Sequence, residues 1–114
     1  MSSDSDFRAL NDIRRNIELA RSFIAGHSYQ TFCVDERTVY AVIRCLEIIS
    51  EATRRLTAEI KTRHSLPWQD IAGAGNIYRH DYEDVLNEVV WQTARDLDPL
   101  WRFVQIELER LNKP

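Results

Sequence analysis

The stretch from Asp35 to Thr62, DERTVYAVIRCLEIISEATRRLTAEIKT, decides the fold. Its positions Val39, Val42, Ile43, Leu46, Ile49, Thr53, Leu56 and Ile60 recur at spacings of three and four. A helix gathers that spacing onto one face, and the resulting stripe must be buried against other helices. Asp35 stands at the start, where its carboxylate can accept from the orphan N–H groups of the first turn, with Thr38 three residues on. One helix running to about residue 62 is expected, the longest element and the spine of a bundle. Arg44, Glu47, Glu51, Arg54 and Arg55 fall mostly off the stripe and read as surface charges, with Glu51 and Arg55 four apart in the favourable order.

Working outward, Phe7, Leu10, Ile13, Ile17, Ala20 and Ile24 form a second stripe, stopped at Gly26. His27 to Val34 is a connector by composition, with aromatics that call for packing. Downstream, Pro67 breaks the chain after Leu66, and Pro67 with Trp68 can open a new short helix. Gly73 and Gly75 lie within it, where glycine costs about 1 kcal/mol against alanine, so they serve close packing or a bend. Val85, Leu86, Val89, Val90 and Thr93 make a further helix. Asp98 as a cap and Pro99 at the first helical position launch the last one, with Leu100, Phe103, Val104, Leu108 and Leu111.

Three Gly and three Pro in 114 residues exclude an all-β domain, which needs turn residues far more often. The expectation is an all-α, up-and-down bundle of four to five helices, one domain over residues 1–114. Trp68, Trp91 and Trp101 either complete the core or leave an apolar face for a dimer.

Lys and Arg number 15 against 18 Asp and Glu, a formal net charge of -3. That excludes a broadly basic nucleic-acid coat, so any contact with nucleic acid must be local. Every cation except Lys61 and Lys113 is Arg, whose planar fork suits phosphate or carboxylate but also serves as plain surface charge. Cys33 and Cys45 are too few for a disulfide scaffold and have no companion Cys/His pair for zinc; reduced thiols are expected. No apolar run reaches the roughly 18 residues that span a bilayer, and the first residues lack a signal pattern. A soluble, cytoplasmic protein with no membrane partner is the expectation.

One window is dense in reactive types: Asn76, Tyr78, Arg79, His80, Asp81, Tyr82, Glu83 and Asp84. In a helix Asn76 and His80 share one face, and Arg79 and Glu83 another. Imidazole gives and takes protons near neutrality. With an amide to orient a phosphate and an Arg to offset its charge, the set suits cleavage of RNA through its own 2'-hydroxyl, with neither metal nor cofactor. By spacing alone, a solvated surface His is the commoner outcome for such a residue. His27 and His64 have no companions at metal spacing and receive no role. Asp81 and Asp84 could act as paired carboxylates but more often cap a helix, and Gly-Ala-Gly-Asn lacks the Lys of a phosphate loop.

The segments AVIRCLEIISEA (41–52) and LPWQDIAGAGNIYRHDY (66–82), followed by Val90-Trp91 and DLDPL (96–100), resemble the HepT-like branch of the HEPN superfamily. The resemblance runs from about Phe7 to Leu111. It implies a small helical homodimer, an RNase toxin paired with a minimal nucleotidyltransferase antitoxin that transfers AMP to the motif Tyr. The family motif is an Arg, four to six residues and then His-x-Tyr, usually with a polar residue directly after the Arg. His80 matches the His, Tyr82 the Tyr that accepts AMP, and Asn76 the polar residue.

The motif Arg is absent: Gly75, Ala74 and Gly73 occupy the positions five, six and seven before His80. Arg79 is the substitute cation in this reading, and Ser50 stands where the family commonly has Gly before Glu-Ala. The resemblance therefore implies a metal-independent endoribonuclease with His80 as general acid/base, Asn76 positioning RNA and Arg79 supplying charge. The alternative is a catalytically weak or inactive dimeric module that binds the nucleotidyltransferase. A plain helical subunit without a site is a third.

Overall fold

A computed structural model describes residues 2–80 and 87–112, and within these every side chain except those of residues 2, 3, 77, 79 and 80. Seven α-helices and no strand occur among the described residues. They are α1 (Ser2–Ile24), α2 (Tyr29–Cys33), α3 (Glu36–Arg55), α4 (Ala58–Thr62), α5 (Trp68–His80), α6 (Asn87–Arg95) and α7 (Asp98–Asn112). The five longer ones are the expected helices of an all-α bundle; α2 and α4 are single-turn additions.

Helix α3 is the spine. It packs along α1 on one side and α5 on the other, α7 lies against α1, and α6 reaches both α1 and α3. Asp35 caps α3 as the spacing predicts, accepting from the Thr38 N–H at 3.2 Å and its hydroxyl at 2.8 Å. Those bonds hold the Asp35 carboxyl below its ordinary pKa. Val42, Ile49 and Ala52 of α3 meet Leu10, Ile13 and Ile17 of α1 in one core, joined by Val90 of α6 and Phe103 and Val104 of α7. Burying each of these Val, Leu, Ile and Phe side chains contributes about 1.5–3 kcal/mol before the entropy of ordering is counted.

Helix α1 ends at Gly26, which takes a φ of 81° that an L side chain rarely adopts. The segment read as a packing connector contains α2, started by a capping box. The Ser28 hydroxyl accepts from the Thr31 N–H at 3.1 Å, and the Thr31 hydroxyl accepts from the Ser28 N–H at 2.9 Å. Phe32, fully buried, and Tyr29 then pack on the Trp91 ring.

The helix expected to continue to residue 62 breaks at Leu56, which turns to φ -71° and ψ 141°. The cause lies far away in sequence. The Asp6 carboxylate of α1, almost fully buried, accepts from both the Thr57 N–H and the Thr57 hydroxyl at 2.9 Å. The break thereby has its polar groups satisfied while Leu56 and Ile60 both remain buried.

Smaller shifts of phase occur elsewhere. Phe7 and Val89 are exposed, and Ala9 and Val90 are buried. The cap of α7 falls one residue earlier than expected. The Leu97 carbonyl accepts the Trp101 N–H at 2.9 Å, and Asp98 lies within the first turn, paired with Arg102 at 2.7 Å. Arg55 pairs with Asp12 of α1 at 2.6 Å. Cys33 and Cys45 are free thiols. No helix among the described residues is long and apolar enough to cross a membrane.

Candidate active site

Helix α5 carries the residues singled out in the sequence, and contacts at both ends fix it. At its start the Pro67 carbonyl accepts from the Ile71 N–H at 3.0 Å. The Trp68 indole N–H donates to the Lys61 carbonyl at 3.0 Å, and its ring lies edge-on to Phe103 with centroids 4.8 Å apart. Near the far end Tyr78 is buried; burial pushes its phenol pKa up, and a hydrogen bond with Thr93 opposes that shift.

Between these anchors α5 crosses α3 at closest approach. The Gly75 N–H donates to Ser50 Oγ at 2.9 Å, and that hydroxyl donates to the Ala72 carbonyl at 2.9 Å. A Cβ on residue 75 would meet Ser50 Oγ at 2.5 Å and Ser50 Cβ at 3.0 Å. Close packing therefore requires glycine at 75, whereas nothing lies within 4 Å of a Cβ placed on Gly73. One turn beyond Ser50, Arg54 reaches across and donates from Nε at 3.2 Å and Nη2 at 2.8 Å to the same Ala72 carbonyl.

At 3.6 residues per turn, Ala72, Asn76, Arg79 and His80 fall within about 100° of arc on α5. Asn76 is exposed, and the α5 backbone runs unbroken through His80. The structure thus brings Asn76 and His80 to one helical face by register. The side chains of Arg79 and His80, and Asp81, Tyr82, Glu83, Asp84, Val85 and Leu86 altogether, lie outside the described residues.

A groove of about 690 Å³ opens between α3, α5, α6 and the start of α7, lined by Ile49, Ile71, Ala74, Tyr78, Val89 and others. It lies on the other side of α5, since Ala74 and Tyr78 each stand about 200° from Asn76. Its lining is mainly apolar, unsuited to a phosphodiester chain.

Two features escape the sequence reading. Arg54 passes there for a surface charge, although its four-residue offset from Ser50 and the small residues Ala72, Gly73, Ala74 and Gly75 opposite could have marked a helix crossing. His64, given no role, lies 2.6 Å from Glu107, a fully buried carboxylate on α7 that also accepts from Arg63 at 2.6 Å and faces Arg110 at 3.4 Å. Burial would raise the Glu107 pKa, but the hydrogen bonds and charges of Arg63 and His64 overcome it and hold the carboxyl below its ordinary value. Nothing in the spacing of residues 64 and 107 signals this cluster. His27 pairs locally, with Nδ1 2.9 Å from the Thr31 hydroxyl. Among the described residues no group of three or more His, Cys, Asp or Glu is placed to hold a metal ion.

Comparison with known proteins gives a consistent result. Residues 13–106 match the family model described as Ribonuclease HepT-like. The chain is 35% identical over 88 residues to a Thermococcus cleftensis protein named Probable ribonuclease HepT, covering 76% of this chain and 80% of that one. It is 34% identical over 85 residues to a Caldanaerobacter subterraneus protein named "Putative RNase", covering 74% and 76%. A Methanocaldococcus jannaschii protein, also named "Putative RNase", is 31% identical over 87 residues, covering 75% and 72%. No solved structure gives a significant match.

Proposed function

Because the chain belongs to the HepT-like ribonuclease family, we propose that it is a metal-independent endoribonuclease, the toxin of a toxin–antitoxin pair. It acts as a cytoplasmic homodimer of a single helical domain spanning residues 1–114. The observation that carries this reading is the family match across the whole of α5, the helix on which Asn76 and His80 share a register.

The chemistry follows from the residue types. The His80 imidazole takes the proton of an RNA 2'-hydroxyl, whose oxygen attacks the adjacent phosphorus. The bond from phosphorus to the 5'-oxygen breaks, and imidazolium returns a proton to that oxygen. The products are a 2',3'-cyclic phosphate and a 5'-hydroxyl end. Asn76 orients the phosphodiester through its amide, and Arg79 offsets the charge that builds on the phosphoryl oxygens. Tyr82 is the acceptor for AMP transferred by a minimal nucleotidyltransferase antitoxin, the modification that silences the toxin.

RNA incubated with purified protein in EDTA tests this reading. Cleavage leaving 2',3'-cyclic phosphate ends is the expected result, and intact RNA contradicts it.

A second reading is favoured by one observation. Gly75 stands at the motif Arg position, and the Ser50 hydroxyl fills the space into which a side chain there would grow. A dimeric interaction module, weak or inactive as a nuclease and bound to the nucleotidyltransferase, fits that replacement. If His80→Ala leaves toxicity and RNA turnover untouched while Tyr82→Phe abolishes AMP transfer by the partner, this second reading replaces the first.

A further inference from the structure

Arg54 is a cation held against the α5 backbone at Ala72, a residue that shares a helical register with Asn76. Its Nε and Nη2 both donate to the Ala72 carbonyl, and Ala72 stands one helical turn before Asn76 and two before His80. An exposed Arg ordinarily samples many rotamers, at a cost of about 2 kcal/mol to immobilise. Here one edge of the guanidinium is tied to a helix backbone although the side chain is exposed.

That tie is not needed to satisfy the carbonyl. Ala72 O already accepts from Ser50 Oγ at 2.9 Å. The effect of the two Arg54 bonds is to position the guanidinium. Nε and Nη2 form its side edge; the end edge, made by Nη1 and the second N–H of Nη2, is directed away from Ala72. Such a two-donor fork matches two oxygens of one phosphate.

The local sequence supports the approach of a ligand. Gly73 is exposed, has nothing within 4 Å of a Cβ placed on it and stands about 20° from His80 around α5, so a phosphodiester can come close to the helix backbone there. Ser50 and Arg54 are four apart on α3, and the Ser50–Gly75 bond sets the distance between the helices that Arg54 spans. A chain of net charge -3 needs local cations of this kind to hold RNA.

We infer that Arg54 is an RNA-phosphate-binding residue of the α5 site, held by the Ala72 carbonyl on the face that carries Asn76 and His80. This rests on the ribonuclease reading above and adds to it a cation from a second helix, alongside Arg79.

The test is a salt titration of binding to a single-stranded RNA oligonucleotide, performed in the His80→Ala chain so that the RNA stays intact. Each phosphate contact contributes about 0.7 to the slope of log affinity against log salt for single strands. Arg54→Gln is expected to lower that slope by about 0.7 per site and to weaken low-salt binding by roughly tenfold. Arg54→Lys keeps the charge and is expected to retain the slope. Thermal melts of each variant identify folded protein.

Several outcomes overturn the inference: a parent that binds no RNA, an Arg54→Gln curve that superimposes on the parent's, or equal losses of slope in the Gln and Lys variants. Cleavage assays separate it from the function it rests on. Cleavage that needs His80 but ignores Arg54→Gln overturns the Arg54 role and leaves the ribonuclease reading standing. Binding whose slope depends on Arg54, with no cleavage by the unaltered chain, supports the contact and overturns the ribonuclease reading.

Discussion

Ser50 Oγ lies 2.9 Å from the Gly75 nitrogen and occupies the space in which a residue-75 side chain would begin. The two positions where the resemblance implies another residue, Gly at 50 and Arg at 75, thus meet across the α3–α5 crossing. One helix gains a hydroxymethyl group where the other loses its side chain. Gly75→Ala is expected to destabilise the protein by about 1–3 kcal/mol, because Cβ must displace a hydroxyl already bonded to Ala72. The double variant Ser50→Gly, Gly75→Ala is expected to recover most of that loss, as read by urea midpoints. Equal stability of Gly75→Ala and the parent contradicts the packing.

The same pair governs what can be restored chemically. Gly75→Arg alone is expected to fold poorly, whereas Ser50→Gly with Gly75→Arg makes room for the side chain. Adding a charge stabiliser at the motif position is expected to raise single-turnover cleavage by about tenfold or more. A folded double variant no faster than the parent shows that position 75 is not where charge is lacking.

Glu107 predicts the pH dependence of stability. Its folded pKa lies below the ordinary carboxylate value, so its contribution is present above that ordinary value and is lost as pH falls through the folded one. Glu107→Gln is expected to cost about 3 kcal/mol at pH 7, the low end for a broken buried ion pair, because the Arg63 side chain is 35% exposed and keeps part of its hydration. The gap between variant and parent should narrow as the pH is lowered towards 3. A gap constant with pH contradicts the ion-pair account.

Asp6 predicts a local effect. Asp6→Ala removes both acceptors of Thr57 and is expected to cost about 1–2 kcal/mol, as the loss of a helix cap does. Hydrogen exchange should accelerate first at the amides of α4.

Much of this fold is legible in periodicity and caps. The Val39-to-Ile60 stripe, the Asp35 cap and the Gly26 stop all depend on neighbours within a few residues, and all reappear. The break at Leu56 does not, because its partner Asp6 is 51 residues away and a propensity argument sees only an unbroken apolar stripe. The Ser28–Thr31 capping box was readable but masked by the aromatics around it. At the site, Asn76 and His80 are legible as a helical pair, and Gly75 as a close-packing residue. Arg54 is not, because its role comes from a carbonyl on another helix. His64 likewise owes its place to a buried acid on α7.

The measurement that bears most directly on the central claim is the single-turnover rate of RNA cleavage in EDTA, for the unaltered chain and for His80→Ala. Loss of a general acid/base predicts a fall of about 10²–10⁴-fold with the fold intact. Equal rates in the two proteins would contradict it.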